Sequence, residues 1–222
     1  MSTTLTLVGA RGGQGTSTVA AALALQTADE IPTTLLTHDP VAMARLLGAS
    51  PPVATERFVA GPNLTLAGLD EPPGAALTVV DAGPATAATK VRLPNGERYA
   101  VVRGPCYLAL ATLVSLPALR LDGVILVAEP GRALSAADTS EILGLPVVAT
   151  VPVRSSIARL IDAGLLAGKP SEVPGLEHLR HSLLHGAELP DDRGGARSRC
   201  LVTANGRLGA DRDLGRGWEH DR

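Results

Sequence analysis

The chain has 222 residues, 45% of them hydrophobic, enough for one sizeable core, and its formal net charge of −2 gives no overall attraction to nucleic acid or to an anionic membrane. Aromatic residues are only 2% of the total, so the core must be aliphatic, as the buried layers of an α/β sheet are. The two cysteines, Cys106 and Cys200, lie far apart without histidines at metal-ligand spacing, which points to neither a disulfide framework nor a zinc site.

In chain order, Leu5 to Gly9 is a short apolar run that ends in a glycine-rich turn, and Ser17 to Thr27 is an Ala/Leu stretch without helix breakers. This is strand, loop, helix. Arg11 and the glycines interrupt the N-terminal apolar run, so no leader peptide is expected, and no other segment approaches the roughly 20 apolar residues that span a bilayer. A reducing, cytoplasmic setting is the expectation. Thr33 to Thr37 is a second strand, followed by Asp39-Pro40 and a short helix through Met43 and Leu47 that Gly48 stops. Further strands are expected at Leu64–Gly68, Leu77–Val80, Tyr99–Val102, Gly123–Ala128 and Pro146–Val151, with helices at Leu108–Ser115, Ser135–Leu143 and Ser155–Ala167. Apolar runs alternating with helices predict a mostly parallel sheet with helices on both faces. Asn95-Gly96, between Val91 and Tyr99, predicts one antiparallel hairpin beside it. From about Pro190 the composition turns to Gly, Arg and Asp without periodicity, so residues 1–189 are expected to form the domain and 190–222 a disordered tail, with Leu201-Val202 and Trp218 as its docking points if it docks.

The chemistry is concentrated in Arg11-Gly12-Gly13-Gln14-Gly15-Thr16-Ser17-Thr18, which lies between the first strand and the first helix. Glycines at such a turn let backbone N–H groups converge as an anion nest, and the helix N-terminus adds free donors and the positive end of its dipole. Ser17 is placed to ligate Mg²⁺ through its hydroxyl; the alternative is that Ser17 or Thr16 only caps the helix. Two carboxylates end nearby strands, Asp39 in Leu35-Leu36-Thr37-His38-Asp39-Pro40 and Asp81 in Leu77-Thr78-Val79-Val80-Asp81-Ala82-Gly83-Pro84. Each is either a group aimed at a phosphate site or the initiator of the following turn.

These three segments resemble the ParA/MinD family, whose deviant Walker A loop reads K-G-G-x-G-K-[ST]-[ST]. Gly12, Gly13, Gly15, Ser17 and Thr18 fall on family positions, while Arg11 stands at the signature lysine and Thr16 at the phosphate-binding lysine. The resemblance implies a P-loop α/β fold, ATP and Mg²⁺ as ligands, and Ser17 and Asp81 as the Mg²⁺-holding pair. It also implies that Asp39 positions water and that Arg11, if the protein is active, supplies the lost charge. It runs from about residue 4 to 168, and Gly123 to Glu129 and Leu145 to Pro152 resemble the family's closing half, with Glu129 where the family often carries an asparagine near the adenine. With both lysines replaced, weak nucleotide binding and weak or absent hydrolysis are expected. The degraded loop is most similar to the pilus and secretion-system positioning branch known as CpaE or TadZ, which implies a homodimer with protein partners in a larger assembly. Two rivals stay open: an active ATPase that cycles as a nucleotide-bound dimer, and a nest reused for a different anion. His178, His181 and His185 share one helical face, read as solvated rather than as a metal site, because no carboxylate or cysteine is in register.

Overall fold

Apolar runs without a polar face are stable only in a sheet that is covered on both sides, and the chain builds one. A computed structural model describes residues 3–50, 57–74, 76–116 and 118–185. Eight strands, β1 (Thr3–Gly9), β2 (Thr33–Thr37), β3 (Phe58–Gly61), β4 (Leu64–Gly68), β5 (Leu77–Pro84), β6 (Glu97–Arg103), β7 (Gly123–Ala128) and β8 (Val147–Pro152), form a single sheet in the order β3-β4-β2-β5-β1-β6-β7-β8. Every neighbouring pair is parallel except β3 with β4.

Alternation along the strands divides the core. Leu5, Leu7, Leu35, Leu66, Leu77 and Val79 point to one face. That face is covered by α1 (Thr16–Ala28), α2 (Pro40–Leu46), α6 (Ser155–Asp162) and α7 (Glu177–His185). Val8, Ala82, Ala100, Val102, Val124 and Leu126 point to the other, under α3 (Ala85–Ala88), α4 (Tyr107–Val114) and α5 (Ala136–Leu143). Helix α1 is buried over most of its circumference, as a sequence of alanine and leucine without a polar stripe requires. Its one long polar side chain, Gln26, is satisfied by donating to the carbonyls of Pro170 and Val173 at 2.9 and 3.0 Å.

The expected hairpin is not formed. No strand lies between Val91 and Asn95, and β6, which follows, pairs in parallel with β1 and β7. The glycine serves a close approach instead: Gly96 lies against the backbone carbonyl of Thr4, where a side chain would collide. The antiparallel pair is β3–β4 at the sheet edge, on either side of Pro62-Asn63. The expected helix Ser155–Ala167 ends at Asp162 and passes through Gly164 into a short 3-10 turn at Leu166–Gly168. The expected tail, 190–222, lies outside the described residues. Among the described residues no helix is long and apolar enough to cross a membrane, and no cluster of three His, Cys, Asp or Glu side chains is placed to hold a metal ion.

Parallel register fixes where chemistry can occur. Leu7, Asp81 and Thr37 are neighbours across β1, β5 and β2, and Gly9 pairs with Val101 of β6, whose Arg103 pairs with Val127 of β7. The carboxyl ends of five strands therefore share one rim, the edge at which open α/β sheets bind ligands.

Candidate functional site

The loop leaves β1 at Gly9 and enters α1 through Gly15, whose φ of 83° is a left-handed conformation that favours glycine. No side chain caps α1, so the donors of its first turn have no intrahelical partners and face the loop. Gln14 does not point inward: its Oε1 accepts the backbone N–H of Arg103 at 2.8 Å and ties the loop to the end of β6. The result is a cavity of about 270 Å³ lined by all eight residues from Arg11 to Thr18 together with His38, Gly83 and Pro84.

Thr16 is buried, at 7% exposure, and its hydroxyl is turned under the loop into the space that a side chain at Gly9 would fill. The position thus offers the cavity no charge. Arg11 is exposed and lines the cavity. Asp81 is fully buried; its Oδ1 accepts the N–H of Gly83 at 3.1 Å, and its Oδ2 has no hydrogen-bond partner among the described residues. A buried carboxylate oxygen without a donor is costly unless a cation or water meets it. Asp81 itself does not line the cavity; its neighbour Gly83 does, while Ser17, in the first turn of α1, lines it directly, so Ser17 and Asp81 are the oxygen donors that would hold a Mg²⁺ ion at this end of β5.

No family model matches the sequence, and no curated protein matches it. Solved structures do. MinD of Pyrococcus horikoshii, complexed with Mg-ADP, superposes with a TM-score of 0.67 at 15% identity over 85% of this chain and 97% of that one. The MinD cell division protein of Aquifex aeolicus gives 0.65 at 14% over 85% and 99%, and a ParA family ATPase from Chlorobium tepidum 0.57 at 13% over 84% and 99%. The chain has the MinD/ParA fold. In this chain the glycine-rich segment 11–15 lies between β1 and α1.

Asp39 is placed elsewhere. It is the N-cap of α2, its Oδ1 accepting the Ala42 N–H at 2.8 Å with Pro40 at the first helical position. It does not line the cavity. Asp39→Ala is expected to cost about 1 kcal/mol of stability through loss of the cap. Chemical denaturation checks the stability. The cavity wall is instead His38, a residue that no motif singled out. Its imidazole lies over Gly83, within 3.1 Å of where a Cβ on that residue would sit. The local signal was its place between a strand end and a helix cap: once Asp39 turns to α2, its neighbour must face the rim.

Glu129, after β7, is bound by two guanidiniums, Arg132 and Arg103, the latter at 2.6 Å. Hydrogen bonds from Arg132 first and Arg103 second hold its carboxyl below the usual glutamate range. Because the folded-state pKa is depressed, the stability it contributes is present above the unfolded value and is lost as pH falls through the folded one. In Arg132→Ala the Glu129 carboxyl should titrate at higher pH than in the parent, as followed by carbon-13 NMR of the side chain. An unmoved titration would mean that Arg103 alone sets it.

Proposed function

We propose that the chain is a phosphate-loop protein that binds ATP and Mg²⁺ weakly, turns ATP over slowly or not at all, and acts as a scaffold or positioning factor for a larger bacterial assembly. The observation that carries this reading is Thr16, uncharged and turned under the loop at the start of α1. Phosphoryl transfer depends on positive charge held where negative charge develops, and removing one such contact costs on the order of 10² to 10³ in rate. Asp39 supports the same reading, since it caps α2 and does not line the cavity. Replacement of both loop lysines supports the pilus and secretion-system positioning branch, with a cytoplasmic homodimer recruiting protein partners.

A second reading rests on Arg11, which lines the cavity and retains a charge. In it Arg11 supplies the missing cation, Ser17 and Asp81 hold Mg²⁺, and the protein cycles as an ATP-bound dimer. Calorimetric titration with ATP, ADP and Mg²⁺, with phosphate release measured on the same sample, separates the two. Binding without release supports the scaffold. Turnover that Arg11→Ala abolishes supports the enzyme, and no binding at millimolar ligand leaves the fold without its ligand.

A further inference from the structure

A second, larger cavity of about 1120 Å³ lies beside the phosphate cavity, over the ends of β2 and β4, lined in part by Thr37, Leu69, Asp70, Glu71, Arg92 and Asn95. Among the described residues only His38 belongs to the walls of both cavities. The chain arrives at this position under local constraint. The Asp39 N–H donates to Thr37 Oγ1 at 3.3 Å, Asp39 caps α2, and Pro40 fixes the first helical turn, so the backbone on either side of His38 is held. Opposite it, Gly83 is fastened by its N–H to Asp81, and the imidazole rests on that turn. A larger residue at Gly83 would displace the ring.

Resting on the reading of the smaller cavity as a phosphate site, we infer that His38 is a phosphate-contacting residue, whose imidazole N–H donates to an oxygen of the bound group from the side opposite the loop. An imidazole carries an N–H donor in its neutral and its protonated form, so the contact does not depend on which is present. The loop and α1 supply backbone donors from one side, and Thr16 supplies no charge. Only Arg11 and His38 among the lining residues carry cationic or cationisable side chains. Both side chains are exposed, but the backbone on either side of His38 is held by hydrogen bonds, and its ring rests on the Gly83 turn. His38 therefore fixes the orientation of the phosphate, and Arg11 adds charge. The placement also makes His38 selective: a phosphate ester whose substituent leaves through this wall must pass the ring to reach the second cavity.

The test uses the full chain and inorganic phosphate and pyrophosphate as probes. Binding is followed by calorimetry and by nitrogen-15 NMR of the histidine side chains. In the parent protein, phosphate should shift the His38 ring resonances and leave those of His181 unmoved. His38→Ala should weaken phosphate binding about tenfold, the loss expected for one hydrogen bond to a charged group. His38→Gln, which keeps an N–H donor, should recover most of it, and unfolding curves of both variants confirm that the fold is intact. If the parent binds phosphate and both variants bind it equally well, His38 is only a wall and the inference falls while the phosphate site stands. If the parent binds neither probe, the phosphate-site reading falls and takes this inference with it.

Discussion

Gly175→Ala is expected to be among the most damaging added methyls at the described glycines. Gly175 has a φ of 89° and lies so close to β8 that an added Cβ would collide with the carbonyl oxygen of Thr150 and sit 2.8 Å from its carbon. Thr150 lies in β8, the edge strand, in register with Leu126 of β7, so its backbone is held in place by the sheet. The methyl must instead lift the segment that leads into α7, whose Leu179 and Leu183, with Leu176 just before it, close the core over α1. Backbone strain of about 1 to 2 kcal/mol at a positive φ and overpacking of about 1 to 3 kcal/mol add in the same direction. A loss of about 3 kcal/mol is a large share of a domain's stability and corresponds to a fall of roughly 10 °C in Tm. Thermal unfolding by circular dichroism measures it. Gly175→Asn separates the two causes, because asparagine tolerates the dihedral but carries the same Cβ. If it unfolds near the parent, the collision is relieved by small shifts and only the dihedral matters.

Thr16→Lys should have the largest effect on binding. The position begins α1 beneath the loop, and its side chain is the one lining residue that the helix start holds against Gly9. A lysine that follows the cavity instead of this buried path places an ammonium among converging backbone donors. A hydrogen bond to a charged group contributes about 1.5 to 3 kcal/mol, so ATP affinity should rise roughly 10- to 100-fold in the presence of Mg²⁺. Calorimetry on the parent and the variant at one salt concentration gives the ratio directly. Equal affinities would mean that His38 or Pro84 closes the cavity to a triphosphate, and would remove the explanation offered for weak binding.

Much of the fold was legible because buried parallel strands leave a signature that needs no partner to be read. Leu77–Val80 and Gly123–Ala128 are unbroken apolar runs, and both form inner strands. The first helix was equally plain, since nothing between Ser17 and Thr27 breaks it. The β3 strand was not, because a four-residue edge strand with Val59 74% exposed buries too little to need a pattern. Asn95-Gly96 misled for a related reason: a glycine required by a tertiary approach looks the same in sequence as one required by a turn. At the site, the loop was readable from spacing, and so was the buried carboxylate of Asp81. His38 was not, because its role is set by where Asp39 turns, and an Asp-Pro pair is compatible with a cap or with a catalytic position.

The strut from Gln14 to the Arg103 backbone bears on the speed of recognition. It joins the loop to a central strand without the participation of any ligand, so the donors keep their arrangement between encounters. Most of the ordering that a flexible loop would undergo on each encounter has already occurred during folding. An anion bound as proposed would meet a finished surface, and its capture would be limited by diffusion and orientation. For the proposed phosphate ligand, residence time rather than association is then the quantity that the uncharged side chain of Thr16 sets.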